Sequence, residues 1–136
     1  MTKQNLYLGK PRSCAQELGK SGEEAAVDLL KKNGYNIIFR NYKTRLGEID
    51  VIAYDKDTLC FIEVKTRSSD RFGLGQEAVS KPKQRQIAKA ALIFIKEKNL
   101  LNRKARFDVA SVLVSLGLPK INLIKDAFEL DPSFSP

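Results

Sequence analysis

Histidine and tryptophan are missing from this 136-residue chain, and cysteine occurs only twice. Without histidine there is no histidine-based acid–base pair and none of the usual zinc sites. Cys14 and Cys60 form no metal-binding or redox spacing, so a structural disulfide is not expected and a reducing compartment fits. Any bound metal must be held by oxygen, which puts Mg²⁺ or Mn²⁺ first. Long apolar runs are missing too: nothing approaches a membrane span, and the opening MTKQNLYLGK has no apolar signal core. The expectation is a cytoplasmic protein with no membrane partner.

Acid is also in short supply. Sixteen Asp and Glu stand against twenty-four Lys and Arg, a net charge of +8. Such an excess favours polyanionic partners, nucleic acid first, although a basic surface can equally serve solubility. Hydrophobic content of 43% and charged content of 29% fit a globular chain, and the length suits one domain with a real core. We expect that domain over residues 13–130, a basic arm over 1–12 and a frayed tail over 131–136.

The most informative stretch is GEIDVIAYDKDTLCFIEVKTR, Gly47–Arg67. It reads as strands over Glu48–Tyr54 and Leu59–Thr66 joined by the turn Asp55–Thr58. Strand side chains alternate between faces, so the turn length fixes the pairing. Tyr54 then faces Leu59, Ile52 faces Phe61, Asp50 faces Glu63 and Glu48 faces Lys65. On the other side Ala53–Cys60, Val51–Ile62 and Ile49–Val64 make a wholly core face. The first face is greasy near the turn and charged at the open end. Two carboxylates directly opposite each other are unfavourable unless a shared proton, the nearby lysine or a divalent cation neutralises them.

Around the hairpin the chain punctuates itself clearly. A first helix runs from Ser13 or Cys14 to Asn33, opened by Ser13-x-x-Gln16 and closed by Asn33-Gly34. Its apolar stripe is Leu18, Gly22, Ala25, Ala26, Leu29 and Leu30; Glu23 flanks the stripe, as a boundary glutamate or a site residue, and Glu24 points away. Tyr35–Arg40 reads as a short strand and Asn41–Leu46 as a basic loop, with Lys43 and Arg45 as phosphate contacts or a solvated turn. Ser68–Val79 reads as a loop; its Gly73-x-Gly75 is a poor dinucleotide fingerprint, because the preceding strand and following helix are too far away.

A second helix starts near Ser80 with Pro82 in its first turn and reaches Lys98, burying Ile87, Ala90, Ala91, Phe94 and Ile95. Lys81, Lys83 and Arg85 crowd its start, where acids are usual, so that end faces an anion or is a solvated basic face. Ala105–Val114 reads as a central strand, with Asp108 as a strand-entry residue or, less favoured, an outlying partner of the site, and Ile121–Phe128 as an edge strand after a turn at Leu116–Pro119. The fold class is α/β.

Asp50, a hydrophobic interval and then Glu63-Val64-Lys65 resemble the PD-(D/E)xK nuclease motif of the restriction-endonuclease-like fold, with Ile49 where the motif name expects proline. More closely, GEIDVIA, FIEVKTR and RFDV resemble the YraN-like family of uncharacterised proteins. The resemblance covers about Gly19 to Val112. It implies an αβββαβ core, a mixed central sheet flanked by helices, and metal-dependent phosphodiester hydrolysis, with DNA favoured over RNA. Catalytic residues carried over are Glu23, Asp50, Glu63 and Lys65, with Glu48 as a further candidate. Asp50, Glu63 and Glu23 would hold the metal, since Gly22-Glu23 matches the family's Gly-Glu pair. Arg67 and the basic residues named above would contact nucleic acid, mainly by shape. A non-catalytic nucleic-acid binder and a basic protein-interaction domain are the rival functions. A symmetric junction as substrate would call for a homodimer.

Overall fold

A computed structural model describes residues 14–68, 79–116 and 118–129. The expected arm, the Ser13 cap, most of the loop after the hairpin and the tail lie outside those residues. The elements run α1 (Cys14–Lys32), β1 (Tyr35–Thr44), β2 (Gly47–Asp55), β3 (Thr58–Ser68), α2 (Lys81–Glu97), β4 (Ala105–Ser115) and β5 (Leu118–Phe128). The five strands form one sheet in chain order, β1-β2-β3-β4-β5. Every neighbouring pair is antiparallel except β3–β4. Parallel neighbours need a crossover, and α2 supplies it. The result is the mixed α/β architecture expected of a restriction-endonuclease-like fold. Among the described residues no helix is long and apolar enough to cross a membrane.

Each helix seals one face. On the α1 side, Ala26, Val27 and Leu30 pack with Val51, Ala53, Cys60, Ile62, Ala110 and Val112. On the α2 side, Ile87, Ala88, Ala90, Ala91 and Phe94 cover Ile49, Ile52, Leu59, Phe61 and Phe107. Phe94 meets the rings of Phe39, Tyr42 and Phe61 edge-on, at centroid distances of 5.3–6.0 Å, an arrangement that suits the ring quadrupoles. Gly22, Ala26, Leu30, Ile87, Ala90, Ala91 and Phe94 are buried as the pattern predicts, with Val27 and Ala88 in addition; Ala25, Leu29 and Ile95 are partly buried, and the Leu18 side chain lies outside what is described.

Three expectations need correction. First, β1 does not stop at Arg40. A bulge between Ile37 and Phe39 carries the strand on to Thr44, so Lys43 lies opposite Glu48 and only Arg45 and Leu46 remain as a turn. Second, Ile49 does not share a face with Val51. Val51 packs under α1 and Ile49 under α2, although alternation demands one face for both. The same switch occurs between Arg40, which reaches the α1 glutamates, and Tyr42, which packs on Phe94. Asn41 lies between them at φ 55°, a left-handed conformation that asparagine tolerates better than most residues. Third, Glu48 does not pair with Lys65: the β2–β3 ladder keeps the expected register from Asp55–Thr58 to Val51–Ile62 and goes no further. Beyond that point the strands part around Asp50.

Two glycines seat the helices at this parting. A Cβ on Gly47 would stand 2.7 Å from the Gln86 backbone oxygen, so β2 starts flush against α2. A Cβ on Gly22 would run into the Thr66 side chain, so α1 lies equally close on β3.

Candidate active site

Asp50 sits where β2 switches faces, and its carboxylate does the work the ladder leaves off. Its Oδ2 accepts a hydrogen bond from the Val64 amide at 2.8 Å. Val64 carried no sequence signal for this role, since any residue other than proline offers the same amide. The Asp50 carboxylate also accepts a hydrogen bond from the Glu63 carboxyl. Burial, and then the Asp50 charge beside it, push Glu63 up to about 7. Burial also raises Asp50, with the Val64 amide opposing the shift. Each of two acids so placed resists ionising while the other is charged.

The positive charges nearby are short of full compensation. Lys83 Nζ stands 3.8 Å from Glu63 Oε2, too far for a hydrogen bond. Lys65 is half-buried and its charge favours the ionised form of Glu63. Glu48 is exposed, and its charge acts against Asp50. Lys83 arrives from the first turns of α2, where Ser80 Oγ accepts from the Lys83 amide at 3.3 Å and no acid occupies the first turn. The anion that this basic helix start was expected to face is, within the protein, Glu63. Lys81 and Arg85 beside it are exposed, as are Lys43 and Arg45 across the sheet. Arg67, further along β3, is half-buried, and its Nε is a buried nitrogen with no hydrogen-bond partner among the described residues.

Glu23 does not complete the set. Arg40 Nη2 lies 3.8 Å from Glu23 and 2.9 Å from Glu24, so β1 draws both glutamates of α1. Among the described residues no group of three or more Asp, Glu, Cys or His could hold a metal ion. The expected three-carboxylate arrangement is therefore a pair, Asp50 and Glu63. A pair still suits Mg²⁺, which needs near-ideal octahedral oxygen and commonly takes one or two carboxylates with water in the remaining places. The donor set supports that fit: a cation between the two carboxylates would relieve the repulsion that, after burial, raises Glu63.

Asp108 is neither a strand-opening residue nor an outlying member of this site. It is fully buried, on the opposite α1 face of the sheet, with Ile62 as its β3 neighbour. Arg106 donates to it from Nε at 2.8 Å and Nη2 at 2.9 Å, Tyr35 Oη at 2.9 Å and the Asp126 amide at 2.9 Å. Cys60 lies beside this network, and burial pushes its thiol up to about 12, which leaves it inert as a nucleophile.

The family model described as "Uncharacterised protein family UPF0102" matches residues 22–112, which include Asp50, Glu63, Lys65 and Lys83. A "UPF0102 protein" of Syntrophus aciditrophicus is 49% identical over 112 residues, 82% of this chain and 88% of its own. A second, from Caldicellulosiruptor saccharolyticus, is 46% identical over 115 residues, 83% of this chain and 98% of its own. A third, from Geotalea daltonii, is 46% identical over 123 residues, 90% of this chain and 97% of its own.

Proposed function

This chain belongs to the uncharacterised protein family UPF0102, and we propose that it is a metal-dependent nuclease that hydrolyses DNA, chosen by shape rather than by base sequence. The observation that carries the proposal is the facing acid pair Asp50–Glu63 at the point where β2 and β3 part, with the Val64 amide on Asp50, Lys83 3.8 Å from Glu63 and Lys65 on the same strand as Glu63. Asp50 and Glu63 would hold Mg²⁺ or Mn²⁺. Such an ion supplies charge to a phosphoryl oxygen and makes a water more acidic.

The remaining roles belong to the chain. The Val64 amide fixes one Asp50 oxygen and leaves the other free to turn toward Glu63. Glu63 gives up its proton when it becomes a ligand. Lys65 orients the attacking water and stabilises negative charge growing at phosphorus. Lys83, already 3.8 Å from Glu63, offers its ammonium to a phosphate oxygen. Lys43, Arg45, Arg67, Lys81 and Arg85 hold backbone phosphates, which position a substrate without reading bases.

The test is cleavage of uninterrupted, forked, flapped, four-way and single-stranded DNA with Mg²⁺ or Mn²⁺. Asp50→Asn, Glu63→Gln and Lys65→Met should each lower the rate at least about 100-fold, or roughly 2.7 kcal/mol of barrier. DNA affinity in metal-free buffer should persist in the two acid variants. Wild-type binding without cleavage in either metal would make the protein a non-catalytic nucleic-acid binder. No binding at low salt would leave a basic protein-interaction domain.

A further inference from the structure

Residues opposite each other on neighbouring strands point to the same face of a sheet, so the register extends the site beyond β3. Glu63 stands beside Val109 and then Ile124. The next row outward is Lys65, Ser111 and Asn122, and the one after it is Arg67, Leu113 and Lys120. Phe107, two residues before Val109, packs under α2, so all three rows lie on the α2 face. Yet α2 starts over β2 and β3, against Gly47 and Glu63, and its length runs the other way. At the β5 end of these rows Asn122 and Lys120 are exposed, and Leu113 is 38% exposed.

The rows end on the β4–β5 hairpin, which is apolar where a turn is usually polar. Leu116 is 97% exposed and Leu118 70% exposed. Leu116 also holds φ 54°, a left-handed conformation that costs a leucine about 1–2 kcal/mol. A leucine that is both strained and fully in water gains nothing for folding there. Such outliers gather at sites of function. From Ser111 to Leu116 is five residues of strand, roughly 16 Å. The apolar tip thus projects past the acid pair on the same end of the sheet, with cations between the two.

We propose that this face and tip form the second half of the nucleic-acid interface, and that the tip takes the exposed end of a base stack where a duplex is interrupted. The inference rests on the nuclease reading for its substrate. Lys65, Arg67 and Lys120 carry the backbone of the strand leaving the acid pair. Leu116 and Leu118 cover the last base pair, as apolar wedges do when they enter an unstacked step. An uninterrupted duplex has no such end to offer, so the substrate class is forked, flapped or junction DNA.

The test uses the full chain, without divalent metal, and two labelled DNAs of equal length: a continuous duplex and a fork. Wild type should bind the fork about tenfold more tightly. The double variant Leu116→Ser, Leu118→Ser should bind both with the affinity of the continuous duplex. Both positions are exposed, and a thermal melt checks that the fold is unchanged. Lys120→Ala should weaken both complexes alike and reduce the salt dependence by about one ion. Equal wild-type affinity for the two DNAs, or a fork preference that survives the double variant, would overturn the inference. So would a double variant whose only change is a lower mass in solution, since the tip would then join two copies of the chain. A fork preference without cleavage would sink the nuclease reading alone; Asp50-dependent cleavage indifferent to the tip would sink this one alone.

Discussion

At the turn end of the β2–β3 hairpin, Asp55 and the buried Asp108 share Arg106, and Lys125 closes on Asp55 at 3.2 Å. At the open end, Asp50 and Glu63 face each other, and among the described residues the closest ion pair to either is the 3.8 Å approach of Lys83. Both ends bury acid. At the first, a guanidinium with permanent charge meets them in short hydrogen bonds, and the Asp55 carboxyl falls below its usual range because of Arg106. At the second, the two carboxyls rise together. The first arrangement holds β1, β2, β4 and β5 in place. The second costs the fold stability that nothing in the described chain returns. Uncompensated carboxylates in a well-packed sheet suit a cation, and the proposed metal site rests on that contrast.

Removing the structural charge should have the largest effect. Arg106→Ala leaves Asp108 buried without its counter-charge, and breaking such a pair costs about 3–5 kcal/mol. Urea melts should show that loss, and a cost under about 1 kcal/mol would mean the two ends do not differ as described.

Gly47→Ala comes next. Its methyl group would press on the Gln86 backbone oxygen, which cannot swing aside as a side chain can. Overpacking of this kind costs about 1–3 kcal/mol. It should also displace Lys83 from Glu63, so cation affinity should rise while stability falls. The matching change at Gly22 meets the Thr66 side chain instead, and should cost less because a side chain can turn.

At the open end the sign reverses. Asp50→Asn keeps an oxygen for the Val64 amide and removes the charge opposing Glu63. It should stabilise the metal-free protein at pH 8 by about 1 kcal/mol, in the range seen for relieved functional sites, while abolishing cation binding. Destabilisation comparable to Arg106→Ala would make Asp50 structural.

The smallest effect is one of slope. Glu63 titrates near 7 when folded and near 4.5 as an ordinary glutamate. Between those values the unfolded chain has released a proton that the folded chain keeps. The Glu63 contribution is therefore fully present below 4.5 and is lost as pH rises toward 7. Asp55, held below its usual range, contributes in the opposite sense and loses its share as pH falls. Glu63→Gln should flatten the decline from pH 5 to 7 and leave the acid limb unchanged, as read from melting temperature against pH.

Much of this contrast could be read before the structure. The Tyr54–Leu59 register followed from strand alternation and turn length, and it held as far as Val51–Ile62. Both helices were legible because their apolar stripes repeat at helical spacing. The face switch at Asp50 was not legible: it depends on a left-handed Asn41 in the neighbouring strand, and a sequence pattern carries no sign of φ. The reach of β1 to Thr44 was hidden for the same reason, since a bulge resets alternation. Glu23 was placed correctly beside the apolar stripe, but its partner Arg40 lies in another element, and helical spacing says nothing of long-range pairing. Asp108 was undervalued because its four hydrogen bonds come from three residues on β1, β4 and β5.

The most direct measurement is a calorimetric titration of the full chain with Mn²⁺ at pH 6 and pH 8, in two buffers of different ionisation heat. Tighter binding at pH 8 is expected, with release of about one proton per ion at pH 6, the proton that Glu63 carries at that pH. Asp50→Asn and Glu63→Gln should each abolish it. Absence of binding in the wild type, or binding that both variants retain, would contradict the assignment of this pair as the metal site.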